Sequence, residues 1–373
     1  MTAIAADIPL LSIKAQNAGL AGEIKDAVNR VLDSGAFVLG PENKAFDAEF
    51  AAEIGASFCL GVDSGTSALE LALEAVGVGP GDEVIVPTFT FIATATAASA
   101  LGAVPVFADV DEATMTLDPN SVECLITSRT KAIVPVHLFG QPADMDPLLA
   151  LAKTKGLKVI EDCAQSHLAS YKGKTTGAFG DVAAFSFYPT KNLGAAGDAG
   201  AVGVSDIDLR DRLLELRNCG RTIGAAYHHA RVGHNCRLDE IQAAILRVKL
   251  PRLKAWTQSR RRIARLYGEG LSGLPLRLPP LGGAGTEPAF HLFTVRLERR
   301  DALAEHLKRL GIGCGVYYPI PVHLQPAYAA RGARIPLPVS ERASREALSL
   351  PMFPELSDAD AARVCATVRD FFR

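Results

Sequence analysis

Lys191 lies in the stretch AFSFYPTKNLGAAGDAG, residues 184–200, in a loop just beyond an apolar run that stops before Pro189. A loop lysine is ordinarily solvated and inert. Here apolar and aromatic neighbours would lower the ammonium pKa and free the amine to form an imine. Gly194, Gly197 and Gly200 follow, and glycine lets a backbone pass close to a bound group. A second stretch, LKVIEDCAQ at 157–165, ends a buried-strand pattern in Glu161 and Asp162. In an open α/β sheet, ligands bind beyond the carboxyl ends of the strands. An acid placed there can face a cation, although a helix N-cap would also use an aspartate. A third stretch, GVDSGTSALELAL at 61–73, reads as strand, tight turn and helix. The turn at Gly65–Ser67 offers the hydroxyls of Ser64, Thr66 and Ser67 together with unpaired helix amides, which makes an anion site. It is not a Walker loop, because no Gly-Lys-Ser/Thr follows. Ser186 adds another hydroxyl donor.

These pieces match the needs of pyridoxal 5'-phosphate (PLP). Its phosphate wants a helix N-terminus and hydroxyls. Its pyridine nitrogen wants a carboxylate, because a pyridinium ring is the better electron sink. Its aldehyde wants a lysine, with which it forms a Schiff base. Gln165, about one helical turn from Asp162, could reach the phenolic oxygen.

The elements that must hold these residues are legible as alternation. Candidate strands are Phe58–Val62, Glu83–Val86, Val104–Phe107, Ala132–Val136, Leu157–Ile160, Val182–Phe187 and Ala201–Val204. Several are continuous apolar runs, as in a sheet covered on both faces. Helical patterns lie between them at Ser67–Val76, Phe91–Leu101, Asp144–Lys155 and Ile207–Asn218. This is an α/β plan with a mostly parallel seven-stranded sheet flanked by helices. Two helical stretches precede it, Glu23–Leu32 and Asn43–Glu53. One long helical pattern, Leu238–Leu266, follows it and is interrupted at Pro251. The remainder changes character: a Pro- and Gly-rich run at Leu278–Gly285, a strand at His291–Leu297, a helix at Asp301–Leu310, an aromatic loop at Val316–Tyr328 and two final helices. The expected domains are residues 1–251, which bind the cofactor, and a smaller α+β unit of residues 252–373.

Bulk properties narrow the partners. With 373 residues, 48% hydrophobic, the chain exceeds the usual span of one core. The net charge of -2 creates no field favouring nucleic acid or an anionic membrane. Met1–Leu10 does not read as a signal peptide, and no apolar run is long enough for a membrane span. The seven cysteines are odd in number and irregularly spaced, which reads as free thiols in a reducing cytoplasm. No Cys/His cluster has zinc-ligand spacing, so no metal is expected.

Taken together, the stretches SGTSALELAL, GDEVIVPTFTFIATA, PVHLFGQPADMD, LKVIEDCAQSH, DVAAFSFYPTKNLGAAGDAG, GHNCRLDEIQAAIL and YYPIPVHLQPAY resemble the DegT/StrS family of nucleotide-sugar aminotransferases over nearly the whole chain. That resemblance implies the type I PLP-dependent transferase fold of aspartate aminotransferase. It implies Lys191 as Schiff-base lysine and proton shuttle, Asp162 as pyridinium partner and Gln165 as contact to the phenolic oxygen. Thr66, Ser67 and Ser186 match phosphate ligands, and Phe91 matches the residue that stacks on the pyridine ring. Asn235 in GHNCRL matches an asparagine reaching the phosphate from a neighbouring subunit, which implies a homodimer with shared sites. Arg237 reads as structural, through Asp239. The chain departs from the usual wording at Cys163 and Leu168, where small residues are more familiar.

The implied reaction is transamination from L-glutamate to a keto-sugar nucleotide. YYPIPVHLQPAY resembles members that act on 3-keto dTDP-6-deoxyhexoses, with a 4-keto sugar as alternative. A sugar dehydratase is disfavoured because the key position is lysine rather than histidine. A non-catalytic regulator is disfavoured because no DNA-binding helix-turn-helix is visible. Tyr188, Tyr318 and His323 are candidate substrate contacts, and Arg221 and His229 candidate diphosphate contacts. The implied setting is cytoplasmic amino-sugar biosynthesis, including surface polysaccharide.

Overall fold

The apolar runs form one sheet: β1 (Phe58–Val62), β2 (Glu83–Pro87), β3 (Val104–Ala108), β4 (Thr130–Ile133), β5 (Lys158–Asp162), β6 (Val182–Ser186) and β7 (Gly200–Val204). The structure is a computed structural model and describes residues 7–283 and 285–373. The reading of Met1–Leu10 thus falls largely outside the described residues, as does Ala284 in the Pro- and Gly-rich run. The strand order is β1-β7-β6-β5-β4-β2-β3. Neighbours from β6 to β3 run parallel, whereas β7 runs antiparallel to both β1 and β6. The carboxyl ends of β1, β5 and β6 therefore open on the same edge. Val62 pairs with Gly200, and Gly200 pairs with Ser186, so the turn after β1 stands level with the end of β6. Asp162 pairs with Ala184, which places it two residues below that level on the adjacent strand.

Both faces of the sheet are covered. Helix Gly65–Ala75 buries Ala68, Leu69, Leu71, Ala72 and Leu73 against one face. Phe46 and Phe50 of helix Pro41–Ile54 pack with Phe185, Phe187 and Leu238 on the other. That helix is capped from far along the chain. The Glu240 carboxylate accepts N–H bonds from Gly40, Glu42 and Asn43 at 2.7, 2.8 and 3.0 Å, where a negative charge complements the helix dipole.

The structure shifts several expected boundaries. The run read as Ala132–Val136 stops at Ile133 because Pro135 has no amide to give the ladder. Val136 keeps only an isolated bridge to Asp162. The long helical pattern splits into Glu240–Lys249, a tight turn Leu250–Arg252 around Pro251, and Leu253–Gly270. Beyond it, Ile263, Tyr267, Phe293, Val295, Leu303, Leu348 and Val364 form a second core, joined by Ile8 from the other end of the chain. This core holds a strand pair, β8 (Phe293–Arg296) and β9 (Ala347–Leu350), running antiparallel. Sequence periodicity does not separate β9 from helix Pro338–Glu346 just before it: four residues, ALSL, are too few to show a period. Among the described residues no helix is long and apolar enough to cross a membrane.

Candidate active site

A cavity of about 620 Å³ opens where β1, β5 and β6 end, between the sheet and the second core. Thr66, Phe91, Asp162, Gln165, Ser186, Tyr188, Lys191 and Tyr318 all line it. Thr66, Asp162, Ser186 and Lys191 meet here because the strands before them end on one edge, and the aromatic loop brings in Tyr318 from more than 250 positions beyond Thr66.

The anion end is built by the turn after β1. Ser64 caps helix Gly65–Ala75, its Oγ accepting the Ser67 N–H at 3.1 Å. The Ser67 amide and its hydroxyl, 2.9 Å from Ser64 Oγ, are both engaged with the cap. Thr66 faces the cavity, whereas Ser67 does not line it. Position 65 must be glycine for steric reasons. A Cβ there would stand 2.6 Å from Ser186 Cβ, and Ser186 is locked in the sheet. Gly65→Ala should therefore push the turn away from Ser186 and weaken binding of a phosphate-bearing ligand by about tenfold or more, equivalent to about 1.4 kcal/mol. Titration of PLP into the unloaded protein checks this.

Asp162 is buried, and each of its oxygens has a donor. Ala164 N–H reaches Oδ1 at 3.1 Å, and Thr94 Oγ1 reaches Oδ2 at 2.9 Å. Burial pushes its pKa above the usual carboxylate range, opposed by these bonds and by the charge of Lys191. Glu161 next to it points to the opposite face. It accepts N–H bonds from Gly177, Phe179 and Gly180 and pairs with His137 Nε2 at 3.1 Å. Because His137 Nδ1 accepts the Ala143 N–H, its proton sits on Nε2 and is committed to Glu161. Burial would raise the Glu161 pKa, but His137 and the amides outweigh it and hold it below the usual range. Glu161 is thus structural, and Asp162 is the acid that faces the cavity. His137, Glu161 and Cys163 also form a buried group of metal-ligand type, but these bonds already occupy the histidine and the carboxylate.

Lys191 is partly buried in the cavity wall. Desolvation pulls its pKa from 10.5 to about 8, with Asp162 pushing the other way. Half of the amine is therefore neutral near pH 8. In the unloaded protein, labelling of Lys191 by an amine-reactive reagent should rise through pH 8, well below the 10.5 of a surface lysine, as read by peptide mass spectrometry.

Phe91 is 54% exposed, so it is a cavity wall rather than core packing, with its ring 6.1 Å from that of Tyr318. Gln165 is oriented by its neighbours: Oε1 accepts the Phe139 N–H at 2.8 Å, and Nε2 donates to Tyr318 Oη at 3.0 Å. Its donor end therefore faces the cavity.

Other candidates lie elsewhere. His323 is buried behind the wall, with Nδ1 bonded to Thr88 Oγ1 at 2.7 Å and Nε2 3.5 Å from Glu341, so its ring is spent on packing the aromatic loop. Arg221 and His229 form a bridge in an exposed loop, with His229 Nδ1 bonded to Cys219 O, away from this chain's cavity. Asn235 is exposed and bridged to Asn218. Arg237 donates to Asn218 Oδ1 at 3.1 Å rather than pairing with Asp239. The cavity also includes Thr90, Asp198, His291 and Tyr317, which sequence reasoning did not single out. His291 is a buried imidazole that donates from Nδ1 to Asn192 Oδ1 at 3.2 Å, since the Asn192 amide nitrogen is given to Ala289 O. Burial and the charge of Lys191 keep this ring neutral. Nothing in its local sequence marks it; only the return of β8 to the cavity does.

The donor set fits PLP: a helix N-terminus with Thr66 and Ser186, a buried carboxylate, a reactive amine, an amide donor and an aromatic wall. Comparison with known proteins points the same way. The chain is 50% identical to the dTDP-3-amino-3,4,6-trideoxy-alpha-D-glucose transaminase of Streptomyces venezuelae, over 98% of this chain and 96% of that one. It is 48% identical to the UDP-N-acetyl-3-dehydro-alpha-D-glucosamine 3-aminotransferase of Acidithiobacillus ferrooxidans, over 97% of each. The crystal structure of S. venezuelae DesV in complex with a ketimine intermediate superposes with a TM-score of 0.96 at 49% identity, covering 99% of both chains. Residues 19–369 match the profile of the DegT/DnrJ/EryC1/StrS aminotransferase family, and the chain belongs to that family.

Proposed function

We propose that the protein is a PLP-dependent aminotransferase that moves the amino group of L-glutamate to C3 of a 3-keto-sugar nucleotide, a dTDP-linked 6-deoxyhexose. The observation that carries the reading is the meeting of Lys191 and Asp162 in one cavity with the Gly65–Thr66 turn at the start of a helix. Position 3 is favoured because the names of both curated relatives above place the amino chemistry at that carbon.

When bound, PLP supplies the electron sink that makes a substrate carbon–hydrogen bond acidic. The chain does the rest. Thr66 and Ser186 hold the phosphate with the first amides of helix Gly65–Ala75. Asp162 keeps a proton on the pyridine nitrogen. Gln165 donates to the phenolic oxygen, and Phe91 covers the ring. Lys191 anchors the cofactor and, once released, its amine carries a proton between carbon atoms as general acid and base. Tyr188 and Tyr318 line the space left for the sugar.

A second subunit completes the site. Phe37, Val38, Ile223, Tyr227 and Val232 are exposed apolar side chains, and Val38 bridges Asp239, four residues along the chain from Asn235. A second copy would cover exposed side chains such as these and bring Asn235 to its neighbour's phosphate. The decisive test is a panel of 3-keto and 4-keto sugar nucleotides incubated with glutamate, with products identified by mass spectrometry and NMR. A 3-amino sugar and 2-oxoglutarate are expected. A 4-amino product overturns the position, and no amino sugar from any acceptor overturns the reading.

A further inference from the structure

We propose that Thr94 is the positioning residue of Asp162: its hydroxyl, in turn held by Thr90, fixes the carboxylate's orientation and keeps it ionised towards the cofactor. The inference rests on the PLP reading of the site.

Thr94 is 1% exposed and does not line the cavity. Its Oγ1 stands 2.9 Å from Asp162 Oδ2 and 3.2 Å from Thr90 Oγ1. A threonine hydroxyl has one proton. An ionised carboxylate can only accept, so that proton belongs to Asp162. The Thr90 hydroxyl must then donate to Thr94. The chain Thr90 to Thr94 to Asp162 thus has one direction, and each hydroxyl polarises the next. The other oxygen, Oδ1, takes the Ala164 N–H at 3.1 Å. Both oxygens are pinned, which fixes the carboxylate plane and leaves one acceptor direction on each.

Few other groups can hold the charge. Lys191 lines the same cavity as Asp162 and favours its charge, and Tyr318 and Cys163 lie near it without positive charge. His137 is also near, but its ring proton is given to Glu161. Burial works against the ionised form, and the bonds from Ala164 and Thr94 oppose it. Geometry also ties this bond to the ring-covering wall. The Thr94 N–H bonds to Phe91 O at 3.3 Å, so the turn that carries the aromatic cover also carries the donor.

The test compares wild type with Thr94→Val, which keeps the shape and loses the hydroxyl, and with Thr94→Ser, which restores it. Two readouts are taken on the unloaded protein: PLP affinity by absorbance titration, and the Asp162 carboxyl titration by infrared difference spectroscopy, its band assigned by loss in Asp162→Asn. Thr94→Val should weaken PLP binding about tenfold and raise the Asp162 titration by about one pH unit, a tenfold change in proton affinity. Thr94→Ser should return both to within about twofold of wild type. A valine variant that titrates and binds like wild type overturns the proposal, as does a serine variant no better than valine. If thermal melting shows the valine variant unfolded, Thr90→Val replaces it, with a smaller shift in the same direction expected and an unchanged titration counting against the proposal. Wild type that binds no PLP overturns the cofactor reading instead, and the infrared titration still decides on Thr94.

Discussion

Lys191→Ala should lower kcat by about 10⁴-fold or more and remove the visible absorbance band of the lysine-bound cofactor. Two losses combine in this variant. A positioned general acid–base contributes roughly 10²- to 10⁴-fold, and the covalent anchor that orients the cofactor goes with it. Fold stability should change little, because Lys191 is only partly buried and a neutral amine is already accessible near pH 8. The check is paired: single-turnover kinetics with glutamate, and absorbance after adding PLP. Added small amines should restore part of the proton transfer, since they can enter the space left by the side chain, but not the anchored band. Turnover at the wild-type rate would remove Lys191 from the mechanism.

Asp162→Asn is the second large effect, with an expected fall in kcat of about 10²- to 10³-fold, the scale of losing one preorganised electrostatic partner in an enclosed site. The substitution keeps the size and removes the charge. It also reverses a hydrogen bond. The Asn oxygen can keep the Ala164 N–H, and its NH2 then donates to Thr94 Oγ1, whose proton turns to Thr90 Oγ1 instead. No donor is stranded, so stability should change little. The variant should still bind the cofactor through Lys191 and the phosphate turn, so the visible band persists while proton abstraction slows. A deuterium isotope effect on glutamate Cα–H cleavage that grows in the variant would locate the loss in that step. An unchanged kcat would mean that Asp162 is only a buried structural acid, the role that Glu161 fills one residue earlier.

Those adjacent acids show where sequence reading stops. Both stand at the end of one apolar run, and nothing local says which faces a ligand. The strand alternates its side chains, so one of them must point away. The structure decides which, because His137 and the amides of Gly177, Phe179 and Gly180 converge on Glu161 alone. Ser67 is a similar case. Its type and position fit an anion site, but Ser64 captures both its amide and its hydroxyl. Histidine was the least legible residue type. His323 sits in an aromatic, substrate-like stretch and is spent on Thr88, whereas the unremarked His291 faces the cavity.

The sheet, its two covered faces and the three stretches that carry Lys191, Asp162 and the phosphate-type turn can all be read along the chain. Those features are local: periodicity, apolar runs and turn residues act within about ten positions along the chain. Which neighbouring side chain faces the cavity, which hydroxyls remain free, and that Thr94 stands behind Asp162, 68 positions away, emerge only when the chain is folded. Those outcomes depend on strand register and direction, which place Ser186, Gly200 and Val62 on one level and open β1, β5 and β6 on one edge. A hydrophobic pattern sets register where one face is polar; these strands are buried on both faces, so no short window of sequence records it.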